Sequence, residues 1–267
     1  MRHINFDRMI ELYRNFKLAL SKKVSLFFDG NKFYSEKPIE GCSCEIGKIR
    51  LNLKDFNVLI DLDDTLFHND FAEEIFFEYY DSQNPVEKKI KILSKHYQYL
   101  SKFSAESFDW ERISKEDANE EVAVFDLKNL QDKYYKKPFV YAFKGSKKLL
   151  KILKISGCKI YAYTNGYSKY QKKLLEDLGL IGFFDEIYSP DITGTSKVYF
   201  FKKFDFNKEK TIVIGDDLFY DVEVPTYYGY KTVLIYKKLK GVIGAPAAFP
   251  TYSFYDLNSF MKAILDQ

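Results

Sequence analysis

The stretch Asn-Val-Leu-Ile-Asp-Leu-Asp-Asp-Thr, residues 57–65, joins a short apolar run to a cluster of acidic residues. Residues 58–60 are typical of a strand that is buried on both faces of a parallel sheet. Asp61 and Asp63 follow at the carboxyl end of this predicted strand, where open α/β sheets bind ligands. If the chain stays extended here, both carboxylates point to the same side. The stretch therefore predicts a parallel sheet with a polar site at one edge.

Apolar runs of the same kind recur along the chain, and they predict further strands at residues 159–163, 211–214, 231–235 and 251–254. Between and after them lie stretches with helical periodicity, at residues 146–155, 171–178 and 256–265. Strands that alternate with helices indicate βαβ units. The predicted fold class is α/β, with a doubly wound parallel sheet.

Residues 1–56 precede this alternation. A helix is predicted at residues 5–20, where five apolar residues stand at roughly helical spacing: Phe6, Met9, Ile10, Tyr13 and Leu18. A β-hairpin should follow, with Asp29-Gly30 in a type I′ turn. We interpret this part as an N-terminal accessory segment.

Residues 69–140 interrupt the alternation just after the first acidic cluster. Helical periodicity at residues 71–80, 86–100 and 115–135 indicates a helical insertion. The predicted organisation is a core formed by residues 57–68 and 141–267, with residues 69–140 as an inserted helical domain.

A second acidic cluster, Asp216-Asp217, follows the third predicted strand, and Asp221 lies four residues beyond Asp217. Because the carboxyl ends of parallel strands share one sheet edge, these residues should join Asp61 and Asp63. Carboxylates so close together repel one another unless a cation compensates their charge. Mg²⁺ prefers such oxygen ligands, and no histidine or thiol cluster nearby favours a softer metal. The sequence therefore predicts a magnesium site.

Thr164-Asn165-Gly166 ends the strand predicted at residues 159–163. A hydroxyl and exposed backbone N–H groups at a helix start can hold phosphate oxygens. Lys197 can add a compact positive charge against a phosphate. These residues are the predicted phosphate-binding group.

The order of these features is an acid pair, a threonine, a lysine and a second acidic cluster, and it resembles the haloacid dehalogenase (HAD) superfamily. The four motifs of that family are matched by residues 61–65, Thr164, Lys197 and residues 215–221. The resemblance covers residues 57–267. It implies a Rossmann-like core, a helical cap that closes over the substrate, and phosphatase activity on a small phosphorylated metabolite.

By this resemblance, Asp61 attacks phosphorus and forms an aspartyl-phosphate. Asp63 protonates the leaving oxygen and then deprotonates the attacking water. Family dehalogenases lack a carboxylate at the position of Asp63, so phosphoryl transfer is favoured over dehalogenation. Mg²⁺ would be bound by Asp61, Asp216 and the backbone carbonyl of Asp63, with Asp217 and Asp221 in support.

Residues 164–197 also carry a narrower resemblance, to nucleoside 5′-monophosphatases of this superfamily. It rests on the matched residues Thr164-Asn165-Gly166-Tyr167, Gln171, Leu178-Gly179-Leu180, Phe184-Asp185, Gly194 and Lys197. Val198 stands where relatives usually have proline, and Val224-Pro225 replaces the small residues usual after the last motif. A nucleoside monophosphate is therefore the first substrate hypothesis.

The composition excludes some classes of protein. A formal charge of +3 without a long basic block argues against binding of a nucleic acid polymer. Cys42, Cys44 and Cys158 form no disulfide framework. No apolar run reaches the length of a membrane span, and the N-terminus lacks an apolar signal core, so a cytoplasmic protein is predicted.

Two alternatives stay open at this point. An aspartyl-phosphate can be passed to a hydroxyl group instead of water, which would make the protein a phosphotransferase or phosphomutase. Receiver modules of signalling proteins also combine an acidic pocket, threonine and lysine around an aspartyl-phosphate, although they are about half this length and lack the insertion. Physiological substrate, oligomeric state and the role of residues 1–56 are not fixed by the sequence.

Overall fold

The computed structural model of this chain describes residues 6–69, 86–117, 140–236 and 248–265. The chain divides into two compact units, of which unit 1 comprises the described residues within 1–61, 144–161 and 205–267. Unit 2 comprises those within 62–143 and 162–204. Among the described helices, none combines the length and apolar character that crossing a membrane would need.

The helices are, in chain order, α1 (Phe6–Ser21), α2 (Val86–Ser101), α3 (Trp110–Asp117), α4 (Ser146–Ile155), α5 (Ser168–Asp177), α6 (Pro190–Thr193), α7 (Lys197–Lys203), α8 (Val224–Tyr227) and α9 (Leu257–Leu265). The strands are β1 (Leu26–Phe28), β2 (Phe33–Ser35), β3 (Glu45–Ile46), β4 (Asn57–Ile60), β5 (Phe67–Asn69), β6 (Val140–Ala142), β7 (Lys159–Tyr163), β8 (Glu186–Tyr188), β9 (Thr211–Gly215), β10 (Lys231–Ile235) and β11 (Tyr252–Phe254).

The strands that lie wholly in unit 1 form a hydrogen-bonded sheet in the order β3-β2-β1-β11-β10-β9-β4. β4, β9, β10 and β11 run parallel to one another, whereas β1 is antiparallel to both β11 and β2. β7 begins in the same unit, where the N–H of Lys159 donates to the carbonyl of Phe56 at 3.0 Å. The predicted mostly parallel α/β sheet, and the strands predicted within it, are confirmed.

The apolar runs form the central strands of the sheet, where both faces of each strand are buried. Every side chain of residues 58–60 is fully buried, and residues 211–215 of β9 are buried throughout. Burial of a Val, Leu or Ile side chain contributes about 1.5–3 kcal/mol relative to an exposed one. These strands therefore hold their carboxyl ends, and the acidic residues that follow them, in a rigid frame.

The N-terminal segment packs into unit 1. Helix α1 forms as predicted, but its fully buried face carries Leu12, Phe16, Ala19 and Leu20, while Met9, Ile10 and Tyr13 are only half-buried. Phe16 stacks on Phe33 of β2, with ring centroids 5.8 Å apart. The prediction of this helix is confirmed, with its bounds one residue later than residues 5–20.

The predicted hairpin joins β1 to β2, but its turn lies one residue later than predicted. Asp29 pairs with Lys32, the N–H of Asp29 donating to the carbonyl of Lys32 at 3.3 Å, so Gly30 and Asn31 form the loop. The Asp29 carboxylate accepts the N–H groups of Asn31 and Lys32, each at 2.9 Å. This side-chain cap fixes Asp29 as the last paired residue rather than a loop residue.

Unit 2 contains the described part of the insertion. β5 and β6 pair as an antiparallel ladder that sets Asn69 opposite Val140, and α2 and α3 lie in the sequence between them. The helix predicted at residues 86–100 is confirmed. The one predicted at residues 71–80, and most of the one at 115–135, fall outside the described residues. The domain bounds themselves stay a prediction.

Replacing Phe16 by alanine should lower the free energy of unfolding by about 3–5 kcal/mol, because a side chain only 1% exposed leaves a cavity among aromatic rings. Urea unfolding followed by circular dichroism measures this change. Arg14→Ala, on the exposed side of the same helix, is the matched control and should stay within about 0.5 kcal/mol of wild type. An unchanged midpoint for Phe16→Ala would mean that residues 1–56 do not support unit 1.

Candidate active site

Three carboxylates of unit 1 lie together where β4 and β9 end. Asp61 follows β4, and its N–H donates to the carbonyl of Ile214 in β9 at 2.8 Å. Asp216 follows β9, and Asp221 belongs to a π-helical turn, Leu218–Glu223. One carboxylate oxygen from each aspartate lies within 4.8 Å of the other two. Parallel pairing of two strands distant in sequence therefore creates one acidic group.

Asp221 reaches this group because the preceding strand ends in glycine. Asp221 is fully buried, and a Cβ atom on Gly215 would overlap its carboxylate. The Asp221 Oδ2 atom accepts the N–H of Asp217 at 3.1 Å, so the backbone after β9 wraps around it. A side chain at position 215 would have to displace Asp221.

Asp217 has a different environment from Asp221, although both were predicted to support the metal. Its Oδ1 atom accepts the N–H groups of Phe219 and Tyr220, each at 2.8 Å, and so caps the π-helical turn. Among the described residues, the close acidic group contains Asp221 and not Asp217. The cap nevertheless contributes to the group, because it fixes the turn from which Asp221 projects.

The acidic group suits a hard divalent cation. Its donors are carboxylate oxygens, which Mg²⁺ prefers, and no softer nitrogen or sulfur ligand belongs to it. Asp61 and Asp221 are buried, at 7% and 0% exposure, where repulsion between carboxylates is screened less than in water. The arrangement therefore fits the predicted Mg²⁺ on the chemistry of its donors.

The carboxylate of Asp63 lies in unit 2 and is held by two amide groups. Asn69 Nδ2 donates to Asp63 Oδ1 at 2.5 Å, and Gln171 Nε2 donates to Asp63 Oδ2 at 2.6 Å. Among the described residues, the Asp63 side chain is not part of the close acidic group. The metal ligand that we predicted at this position is the backbone carbonyl of Asp63. Sequence reasoning assigned no role to Asn69, and Gln171 entered only through the nucleotidase resemblance.

The predicted phosphate-binding residues of unit 2 come together at the end of β7. Thr164 is buried, and its Oγ1 atom accepts the N–H of Gly166 at 2.9 Å. The side chain of Asn165 accepts the N–H of Lys197 at 3.0 Å, which ties the loop after β7 to the start of α7. The structure thus brings Thr164, Asn165, Gly166 and Lys197 into one local network.

Lys197 is only 5% exposed, and an aromatic residue orients it. Its Nζ atom lies 4.7 Å from the ring centroid of Tyr163, and the Tyr163 hydroxyl donates to the carbonyl of Lys197 at 3.1 Å. A cation over an aromatic face is attracted by the ring quadrupole. Tyr163 therefore supports the predicted cation, a role that no sequence pattern indicated because an aromatic residue in a buried strand is typical of core packing.

A polar cleft of about 470 Å³ lies within unit 2, between α3 and the start of α5. Its basic residues are paired with acidic neighbours: Lys169 with Glu111, and Arg112 Nε with Glu116 at 2.8 Å. Tyr167, directly after the loop predicted to bind phosphate, also lines the cleft, and burial together with the nearby Asp109 raises the pKa of the Tyr167 phenol. The cleft offers hydrogen-bonding groups to a polar molecule beside that loop.

Two known proteins are similar to this chain, one over most of its length and one over about a third. Pyrimidine 5′-nucleotidase PynA of Streptococcus pneumoniae is 25% identical over 221 residues, which cover 75% of this chain and 92% of PynA. The HAD-hydrolase YfnB of Bacillus subtilis is 33% identical over 105 residues, which cover 37% of this chain and less than half of YfnB, 44%.

Solved structures show the same fold. A HAD phosphatase from Thermococcus onnurineus superposes with a TM-score of 0.60 at 21% identity, covering 78% of this chain and 96% of that one. The crystal structure of YfnB bound to magnesium gives a TM-score of 0.53 at 23% identity, covering 79% and 99%. The profile of haloacid dehalogenase-like hydrolases matches residues 57–224, more than half of the chain. This protein therefore belongs to the haloacid dehalogenase-like hydrolase family.

Proposed function

We propose that this hydrolase is a Mg²⁺-dependent phosphatase that acts on a small phosphorylated metabolite through an aspartyl-phosphate on Asp61. The observation that carries the proposal is the group of three carboxylates, from Asp61, Asp216 and Asp221, at the ends of β4 and β9. Family membership supports the reaction class, and the acid at position 63 favours phosphoryl transfer over dehalogenation.

In the first half of the reaction, a carboxylate oxygen of Asp61 bonds to phosphorus as the bond from phosphorus to the leaving oxygen breaks. The leaving oxygen takes the proton of the Asp63 carboxyl group and departs as an alcohol. In the second half, a water oxygen bonds to phosphorus and gives its proton to Asp63. The bond between phosphorus and Asp61 breaks, which releases phosphate and restores both side chains.

Asp61 and Asp216 would hold Mg²⁺ together with the carbonyl of Asp63, and Asp221 would support them. When bound, the ion supplies positive charge that offsets the repulsion between an anionic nucleophile and an anionic phosphate. Thr164, the loop N–H groups and Lys197 would bind the phosphate oxygens. The 5% exposure of Lys197 supports this role, because its charge acts at short range with little screening by water.

A nucleoside 5′-monophosphate is the proposed substrate. Similarity to a pyrimidine 5′-nucleotidase over 92% of that relative supports it, as does the narrower resemblance within residues 164–197. The polar cleft next to Tyr167 offers donors and acceptors of the kind that a sugar or base requires. Transfer of phosphate to another hydroxyl remains the alternative reaction for the same intermediate.

Asp61→Asn should lower phosphate release on the order of 10³-fold or more, because an amide cannot form the covalent intermediate. Colorimetric phosphate release in MgCl₂ measures this loss. Asp64→Asn is the matched control: Asp64 has a positive φ of 55°, which asparagine tolerates, and activity should stay within about threefold. Unchanged turnover by Asp61→Asn would remove the nucleophile assignment.

A panel of phosphorylated metabolites should give the highest kcat/KM with nucleoside 5′-monophosphates, about tenfold or more above sugar phosphates, because the base adds contact area and hydrogen bonds that a sugar phosphate lacks. Phosphate release and substrate loss are measured in parallel. Substrate loss without equal phosphate release would indicate transfer to an acceptor. A stable phosphoprotein without turnover would favour the receiver-like alternative.

MgCl₂ should raise the melting temperature of the wild-type protein by a few degrees, because the ion binds the folded acidic group. Asp216→Asn should lose this shift, and without Mg²⁺ it should melt at or above the wild-type temperature, since one repelling charge is gone. Differential scanning fluorimetry measures both effects. Asp217→Asn, at the neighbouring cap, should retain the Mg²⁺ shift, and a retained shift in Asp216→Asn would contradict the assigned site.

A further inference from the structure

We infer that Gln171 is a positioning residue that fixes the orientation of the Asp63 carboxyl group for proton transfer. This inference rests on the proposed function, because Asp63 is the proton donor and acceptor there. Its observation is the hydrogen bond from Gln171 Nε2 to Asp63 Oδ2 at 2.6 Å, which joins residues 108 positions apart in the chain.

The amide orientation that makes this contact lowers the stability of the folded protein. Gln171 is only 3% exposed, and its Oε1 atom is buried without a hydrogen-bond donor among the described residues. A buried acceptor without a donor destabilises a protein. Reversing the amide would place Oε1 against a carboxylate oxygen, so the observed orientation is the one that bonds Asp63. If this position served packing alone, an apolar side chain of the same length would avoid the buried, unpaired acceptor.

The surrounding structure makes room for Gln171 and fixes its helix. A Cβ atom on Gly166 would overlap the Gln171 amide. The lack of a side chain at Gly166 therefore leaves the space that the Gln171 amide occupies. Gln171 lies in the first turns of α5, whose start is anchored by Asp191. The Asp191 carboxylate accepts the N–H of Ser168 at 2.8 Å and the Ser168 hydroxyl at 2.6 Å. The donor thus projects from a helix that is held at its first residue.

The other oxygen of Asp63 is held by Asn69, which fixes the plane of the carboxyl group. Asn69 Nδ2 donates to Oδ1 at 2.5 Å from β5, a strand tied to β6. Both amide groups are donors, so they orient the carboxyl group without competing with it as proton acceptors. Two donors from separate elements restrict rotation about the bond that carries the carboxyl group. General acid–base catalysis depends on such placement, because the proton donor must lie within hydrogen-bond reach of the reacting oxygen.

Gln171→Met removes the donor and keeps the length and apolar stem of the side chain. The experiment compares kcat/KM for two esters, an alkyl phosphate such as a nucleoside 5′-monophosphate and p-nitrophenyl phosphate. The alkyl leaving group needs a proton, whereas p-nitrophenolate departs without one. Because kcat/KM reports only steps up to the first irreversible one, we expect a fall of about tenfold or more for the alkyl ester and less than about threefold for the aryl ester.

Lys172→Met is the matched control, since it makes the same kind of change at the next, exposed position of α5. It should leave both kcat/KM values unchanged. If Gln171→Met does not fold, Asn69→Leu removes the second donor and should give the same difference between the two esters.

Equal losses for the two esters would overturn the inference, because they would show a general defect of the site. Unchanged values for both esters in Gln171→Met would overturn it as well. Failure of the proposed function gives a different pattern: the wild-type protein would hydrolyse neither ester, or Asp61→Asn would hydrolyse both. The inference would then fail with it.

Discussion

Mutual repulsion among three carboxylates is the constraint around which unit 1 is built. Asp61, Asp216 and Asp221 have oxygens within 4.8 Å of one another. At such a distance each ionised pair costs on the order of 3–4 kcal/mol at an effective dielectric constant of 20. Neighbouring residues alone would not keep three carboxylates so close together, so the surrounding fold must hold them in place. The parallel pairing of β4 with β9 and the absence of a side chain at Gly215 are the two features that do so.

The aromatic cluster of the N-terminal segment contributes to the same frame. Phe16 of α1 and Phe33 of β2 belong to a buried cluster that also contains Val222 and Leu234. Val222 is the residue after Asp221, in the π-helical turn, and Leu234 lies in β10. Residues that look like an accessory piece in the sequence therefore pack against the backbone that carries the buried carboxylate. Packing of α1 thus supports the turn from which Asp221 projects.

Regular elements were predictable wherever a local pattern determined them. The strands β7 and β10 and the helix α4 follow from apolar runs and helical periodicity alone, and the acids that end β4 and β9 mark the sheet edge. Two non-local contacts in unit 2 were not predictable. The β5–β6 ladder pairs residues about 70 positions apart, and the contact of Gln171 with Asp63 depends on the space above Gly166. The turn at Asp29 was misplaced by one residue because a side-chain cap outweighed the glycine preference.

Asp61 and Asp63 are separated by one residue, yet different structural features fix them. Asp61 is set by the backbone bond from its N–H to Ile214 in the sheet of unit 1. The carboxylate of Asp63 is set by amide side chains from β5 and α5 in unit 2. A nucleophile needs a rigid position, whereas an acid that later acts as a base needs a fixed orientation with lone pairs left open. In the proposed mechanism, sheet backbone would supply the first requirement and paired amide donors the second, which suits two aspartates one residue apart to two different tasks.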